Sequence, residues 1–153
     1  MTGQWDCPAL RRPETLRKLR DHAVAVNAEY AKRFGVSPSL AVTCVKPSGT
    51  VSELVDASSG LHPRHAQYYI RRIRINSSDP LFQMLKDQKV PYYPEVGQAL
   101  SSAHTFVFEF PVKAPDGAVK RNDLTAIEQL KYWKVVKENF TEHNPSVTIS
   151  VGE

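Results

Sequence analysis

Sulfur is scarce in this chain of 153 residues, which carries two cysteines, Cys7 and Cys44. Two thiols are too few for a disulfide framework or a four-thiolate metal site. Cys44 lies inside an apolar run and reads as a buried structural thiol. Long hydrophobic stretches are also missing. No apolar run approaches the roughly 20 residues of a membrane helix. Residues 1–6 lack the basic and then apolar build of a secretory leader, so a cytoplasmic location and no membrane partner are expected. Neither a Gly-x-Gly-x-x-Gly fingerprint nor Walker A spacing occurs. No catalytic triad is visible, and His22, His104 and His143 stand alone and read as structural. Nor is there a strong excess of one charge. The 20 basic and 16 acidic residues leave +4, which suits an anionic ligand and argues only weakly for nucleic acid.

What is present is ordinary globular composition, 41% hydrophobic and 24% charged, in a chain long enough for one domain with a core. Pro13–Phe34 reads as a helix, with proline at its first position and Gly35 at its end. Leu16, Leu19, Ala23, Val26, Tyr30 and Phe34 recur at helical spacing and form one apolar stripe. Residues 40–45 read as a short buried strand. Residues 51–56 suit a brief helix, broken by Ala57-Ser58-Ser59-Gly60. Residues 69–75 alternate, with Tyr69, Arg71, Ile73 and Ile75 on one side and Ile70, Arg72, Arg74 and Asn76 on the other, although residues 64–72 also admit a helix. Asp79-Pro80 starts a helix to about Gln88. Residues 105–112 are the clearest strand. Asn122 or Asp123 is the expected cap of a long helix to about His143, and residues 146–151 the last strand. Helices alternating with strands predict an α/β architecture with a mixed or parallel sheet. A last strand so close to the end of the chain suggests a fragment or a split subunit.

The chemistry concentrates at Lys46-Pro47-Ser48-Gly49-Thr50-Val51-Ser52. An apolar run, a Gly/Ser/Thr turn and a helix start can expose backbone N–H groups to a phosphate. The same Pro-Ser-Gly-Thr sequence can also be merely a turn. Downstream, His62 and His65 have no nearby carboxylate or thiolate to complete a metal site. Arg64 either clamps a phosphate or forms an ion pair. Tyr68 and Tyr69 with Arg71, Arg72 and Arg74 superficially suggest a nucleic-acid face, but the basic run is short, so none is expected.

Thr43-Cys44-Val45-Lys46-Pro47-Ser48-Gly49-Thr50-Val51-Ser52 resembles class II ribonucleotide reductase, the adenosylcobalamin-dependent family, in its ribonucleoside-triphosphate branch. So do Gly60-Leu61-His62-Pro63-Arg64-His65-Ala66, Tyr68-Tyr69-Ile70-Arg71-Arg72 and His143-Asn144-Pro145-Ser146-Val147-Thr148. Trp5-Asp6-Cys7-Pro8 and the first helix fit the same stretch, so the resemblance covers essentially the whole chain. It implies that residues 1–153 are a single segment of a ten-stranded α/β barrel. Ser48, Gly49, Thr50, Val51 and Ser52 would hold the phosphates of a ribonucleoside triphosphate, with Lys46 and Arg64 as supporting cations. The family reaction uses a thiyl radical, a reducing cysteine pair and a thioredoxin-like dithiol. The Asn-Pro-Cys-x-Glu segment of the radical cysteine is absent here, and neither Cys7 nor Cys44 stands in a matching context. No catalytic or metal-binding residue is therefore assigned. Most of the adenosylcobalamin surface would lie in a remaining part of the enzyme, and the isolated chain is expected to be inactive. The alternative is a non-catalytic nucleotide- or anion-binding module derived from that barrel.

Overall fold

The computed structural model describes residues 1–48 and 51–151. The chain divides into two units. The first comprises Met1–Ala66 and the described residues from Pro115 on, and the second is Gln67–Ala114.

The first unit is built on two helices, α1 (Pro13–Phe34) and α4 (Ala126–Asn139). Proline occupies the first turn of α1, where a missing N–H costs nothing. Gly35 ends the helix at φ 66°, and its N–H reaches back to the last turn. α1 packs on α4 and on the 3-10 turn Pro8–Arg11. The core gathers Trp5, Leu16, Val45, Leu61, Tyr132, Val136 and Phe140. Trp5 meets Tyr132 edge-on at 4.7 Å, and its indole N–H donates to the Leu61 carbonyl at 2.7 Å. The ring therefore buries apolar area without orphaning its polar atom. Burial pushes the Tyr132 phenol far above its usual range. The predicted α1 stripe is only partly used. Leu16 is buried, whereas Leu19, Val26, Tyr30 and Phe34 are exposed, and Ala31, outside the stripe, is buried. Periodicity marks a face that can be buried, and burial also needs a neighbour.

α4 begins later than the sequence suggests. Asp123 caps the 3-10 turn Arg121–Asp123, and Thr125 caps α4 through a reciprocal capping box with Glu128. The helix ends at Asn139, not near His143. Beyond it the Glu142 N–H donates to the Thr43 carbonyl at 3.0 Å, drawing the chain toward residues 42–43.

Residues 40–45 and 146–151 form no ladder, contrary to the two strands expected there. Side chains accept their N–H groups instead. Glu142 takes those of Val42 and Thr43, His62 takes that of Thr148, and Gln129 takes that of Ser150. An apolar run signals burial, but a strand also needs a neighbouring backbone.

The second unit is an antiparallel sheet in the order β1-β3-β2, formed by Tyr68–Asn76, Tyr92–Pro94 and Thr105–Lys113. This replaces the mixed or parallel sheet expected from the sequence, and no ten-stranded barrel is present among the described residues. The alternation of β1 is as read, with Ile73 and Ile75 opposite Phe108 and Phe106. Helix α3 (Pro80–Asp87) is capped by the Asp79 carboxylate, which accepts the Leu81 N–H at 2.9 Å. Its Phe82 ring stacks on Phe106 at 4.7 Å and meets Phe108 and Tyr92 edge-on. Full burial of Phe108 contributes about 2 kcal/mol. On the opposite face Arg72 pairs with Glu109 and Arg74 with Glu95, each at 2.7 Å. Arg72 and Arg74 are thus answered by carboxylates of their own unit.

Candidate functional site

The candidate loop leaves the core at Val45, which is 2% exposed, and enters α2 (Val51–Leu54). Gly49 and Thr50, the centre of the expected phosphate cradle, lie outside the described residues. Lys46 and Val51 are exposed, and Ser48 is half-buried. Ser52 is fully buried, and its hydroxyl donates to the Ser48 carbonyl. That bond closes the loop onto itself, so the Ser52 hydroxyl points inward. α2 is a single turn, so any anion attraction rests on local N–H groups more than on a long helix dipole.

Three segments distant in sequence brace this loop. Thr2 Oγ accepts from Ser48 Oγ and from the Gly60 N–H, both at 2.9 Å, and donates to the Ser58 carbonyl at 3.0 Å. Gly60 adopts φ +59° and lies against the loop's first residue; a Cβ there would stand 2.7 Å from the Lys46 carbonyl oxygen. Only glycine meets both demands. Asp6 Oδ2 accepts the Ser58 N–H and faces Arg64 at 3.3 Å.

Arg64, expected among the supporting cations, is 5% exposed. Its guanidinium donates to the Asp56 carboxylate at 2.9 Å, to the Asp56 carbonyl and to Asp6. The fork thereby ties Asp56, two residues beyond α2 and itself at φ 45°, to the N-terminal strip. Trp5, Asp6, Arg11, Asp56, Arg64 and Asp116 line a cavity of about 200 Å³ around this cluster.

His62 is a fold element. Thr148 N–H donates to Nε2 at 3.1 Å, so the proton sits on Nδ1, which lies 2.9 Å from the Ser59 carbonyl. Among the described residues, no three His, Cys, Asp or Glu side chains converge to hold a metal. Two cavities lined by described residues of the first unit, of about 200 and 560 Å³, are too small to enclose adenosylcobalamin, a corrin with a nucleotide tail.

Sequence reasoning missed Thr2, Asp6, Asp56 and Gly60 as parts of the site. Their partners lie up to 58 residues away, and no local pattern distinguishes a bracing threonine from a surface one. Glu142 was missed for the same reason. Accepting the Thr43 and Val42 N–H groups holds its carboxyl below the usual range. That contact stabilises the fold above the ordinary carboxylate range and is lost as the pH falls through the lowered folded value. Melting temperature measured against pH should therefore drop more steeply on acidification in the wild type than in Glu142→Gln. Parallel curves would refute this account.

Comparison with known proteins places this segment. No family model matches the chain. It is 43% identical over 91 residues to the adenosylcobalamin-dependent ribonucleoside-triphosphate reductase of Levilactobacillus brevis, covering 60% of this chain and 12% of that protein. The enzyme of the same description from Lactobacillus gasseri is 30% identical over 141 residues, covering 90% and 18%. A probable reductase of this type from Dictyostelium discoideum is 30% identical over 125 residues, covering 82% and 16%. A crystal structure of a B12-dependent class II ribonucleotide reductase superimposes with a TM-score of 0.68 and 29% identity, over 90% of this chain and 19% of that one. The chain is thus homologous to a segment of these reductases, and spans less than a fifth of their length.

Proposed function

We propose that this chain is the substrate-phosphate segment of an adenosylcobalamin-dependent ribonucleoside-triphosphate reductase, completed by the remaining part of that enzyme. The observation that carries the reading is the match to the Lactobacillus gasseri enzyme over 141 residues, a length that necessarily includes residues 46–52. In this reading the backbone of Ser48, Gly49, Thr50, Val51 and Ser52 holds the triphosphate, with the exposed Lys46 as a supporting cation. Arg64 acts from behind, fixing the end of α2 through Asp56. The segment positions the substrate, while the radical cysteine, the reducing thiols and adenosylcobalamin belong to the remaining part of the enzyme. A thioredoxin-like dithiol supplies the electrons, and the setting is the cytoplasm. Two features support contact with a remaining part of the enzyme: the exposed apolar side of α1, and segments 40–45 and 146–151, whose N–H groups bond to side chains in place of neighbouring strands.

The test is complementation. The Levilactobacillus brevis reductase, with its matching segment deleted, is mixed with this chain, a ribonucleoside triphosphate, adenosylcobalamin and a dithiol. Deoxynucleotide should form in the mixture and from neither piece alone. A stable complex that forms no product would overturn the reductase reading and favour a non-catalytic anion-binding module.

A further inference from the structure

We propose that Asp116 is a site of spontaneous covalent modification, converting to isoaspartate through a cyclic imide with Gly117. Asp116 is the only aspartate of the chain that precedes a glycine. The pair forms the tip of an exposed turn, closed by one backbone bond from the Ala118 N–H to the Pro115 carbonyl at 3.1 Å. Gly117 stands at φ +76°, and nothing lies within 4 Å of where a Cβ would be. Among the described residues its N–H has no acceptor. The attacking nitrogen is therefore neither shielded by a side chain of its own nor held in a hydrogen bond. Glycine also leaves the backbone free to rotate into the ring geometry.

The chemistry needs nothing but water. The Gly117 nitrogen adds to Cγ of the protonated Asp116 carboxyl. A C–N bond forms, and the nitrogen's proton leaves with the carboxyl O–H as water. Water then opens the five-membered imide. Attack at the γ carbonyl restores aspartate, whereas attack at the α carbonyl leaves the main chain running through Cγ. Composition and oxidation state are unchanged, but the backbone gains one methylene. Other aspartates are placed differently. Pro80 has no N–H to offer Asp79. Asp123 precedes Leu124, and its carboxylate accepts the Lys120 N–H at 3.0 Å.

The position of the turn gives the change a consequence. Asp116 and Gly117 line the cavity beside Arg64. Just beyond them the Val119 carbonyl accepts the Arg64 N–H at 2.9 Å, and the Arg121 N–H donates to the Arg64 carbonyl at 2.8 Å. An extra backbone atom at residue 116 shifts that register and loosens the bridge holding residue 64.

The test keeps the full chain in warm neutral buffer for weeks and digests samples of it. Electron-transfer fragmentation of the peptides then separates isoaspartate from aspartate. Residue 116 should convert at least about tenfold faster than Asp123. Gly117→Ala should slow the conversion about tenfold, because the methyl shields the nitrogen and restricts its backbone. Asp116→Glu keeps the carboxylate but would need a six-membered ring, and should stop the conversion whatever becomes of Gly117→Ala. Hydrogen exchange at the Arg64 amide should quicken as the isoaspartate fraction rises. Conversion at residue 116 no faster than at Asp123, or seen only above the urea midpoint, would overturn the proposal. An unchanged Arg64 amide in converted chains would overturn the loosening of the bridge.

Discussion

Gly60→Ala is expected to destabilise the first unit by about 3 kcal/mol, lowering its melting temperature by roughly 6–12 °C. Two costs combine. The backbone at φ +59° is a left-handed conformation that penalises an L side chain by about 1–2 kcal/mol. The added Cβ would also lie 2.7 Å from the Lys46 carbonyl oxygen, 3.0 Å from its carbon and 3.2 Å from the Pro47 nitrogen. All three are backbone atoms that cannot rotate away. Gly35 provides the control. It has φ +66° and nothing within 4 Å of the added carbon, so Gly35→Ala should carry the conformational cost alone. Equal losses for the two variants in urea denaturation would show that the contact with Lys46 is unimportant. A larger loss at Gly60 would establish that the loop's first residue rests on residues 58–60.

Much of the fold was legible because its signals are local. Pro13 and Gly35 delimit α1, Asp79-Pro80 starts α3, and alternating isoleucines face alternating phenylalanines across β1 and β3. Even the start of α4 was written in the chain, since Thr125-x-x-Glu128 is a capping box. The less specific Asn122-Asp123 pair drew attention away from it. The two missing ladders are a different failure. Apolar runs at residues 40–45 and 146–151 encode burial, whereas a strand is a property of two backbones, and here Glu142, His62 and Gln129 stand in for the second.

The site was legible in part. A candidate loop could be picked out from the residue types that phosphate contacts use and from the family resemblance. Its bracing could not, because the resemblance named Arg64 as a cation without saying which anions it meets. Thr2 and Asp6 are ordinary residues made particular only by folding. Their long sequence separations also mean that the loop's geometry depends on the tertiary structure of the whole unit.

Arg64→Met should therefore be primarily a stability variant, costing roughly 2–4 kcal/mol. Removing one member of a fully buried pair costs about 3–5 kcal/mol, because the other charge is left without compensation. Here the partners are only partly enclosed, the Asp6 side chain being 25% and that of Asp56 68% exposed, so water moderates the loss. Arg64→Lys should recover little, since one ammonium cannot span Asp6, the Asp56 carboxylate and the Asp56 carbonyl as a planar fork does. Asp6→Asn should cost less than Arg64→Met, because an amide oxygen can still accept the Ser58 N–H. A double-mutant cycle between Asp6 and Arg64 should give a coupling energy of at least about 0.5 kcal/mol. Lys46→Met offers the contrast. Lys46 is exposed, so its loss should weaken tripolyphosphate binding while leaving the urea midpoint nearly unchanged. If Arg64→Met instead kept its stability and lost phosphate affinity, the guanidinium would be a direct phosphate ligand, and its place behind the loop would have to be abandoned.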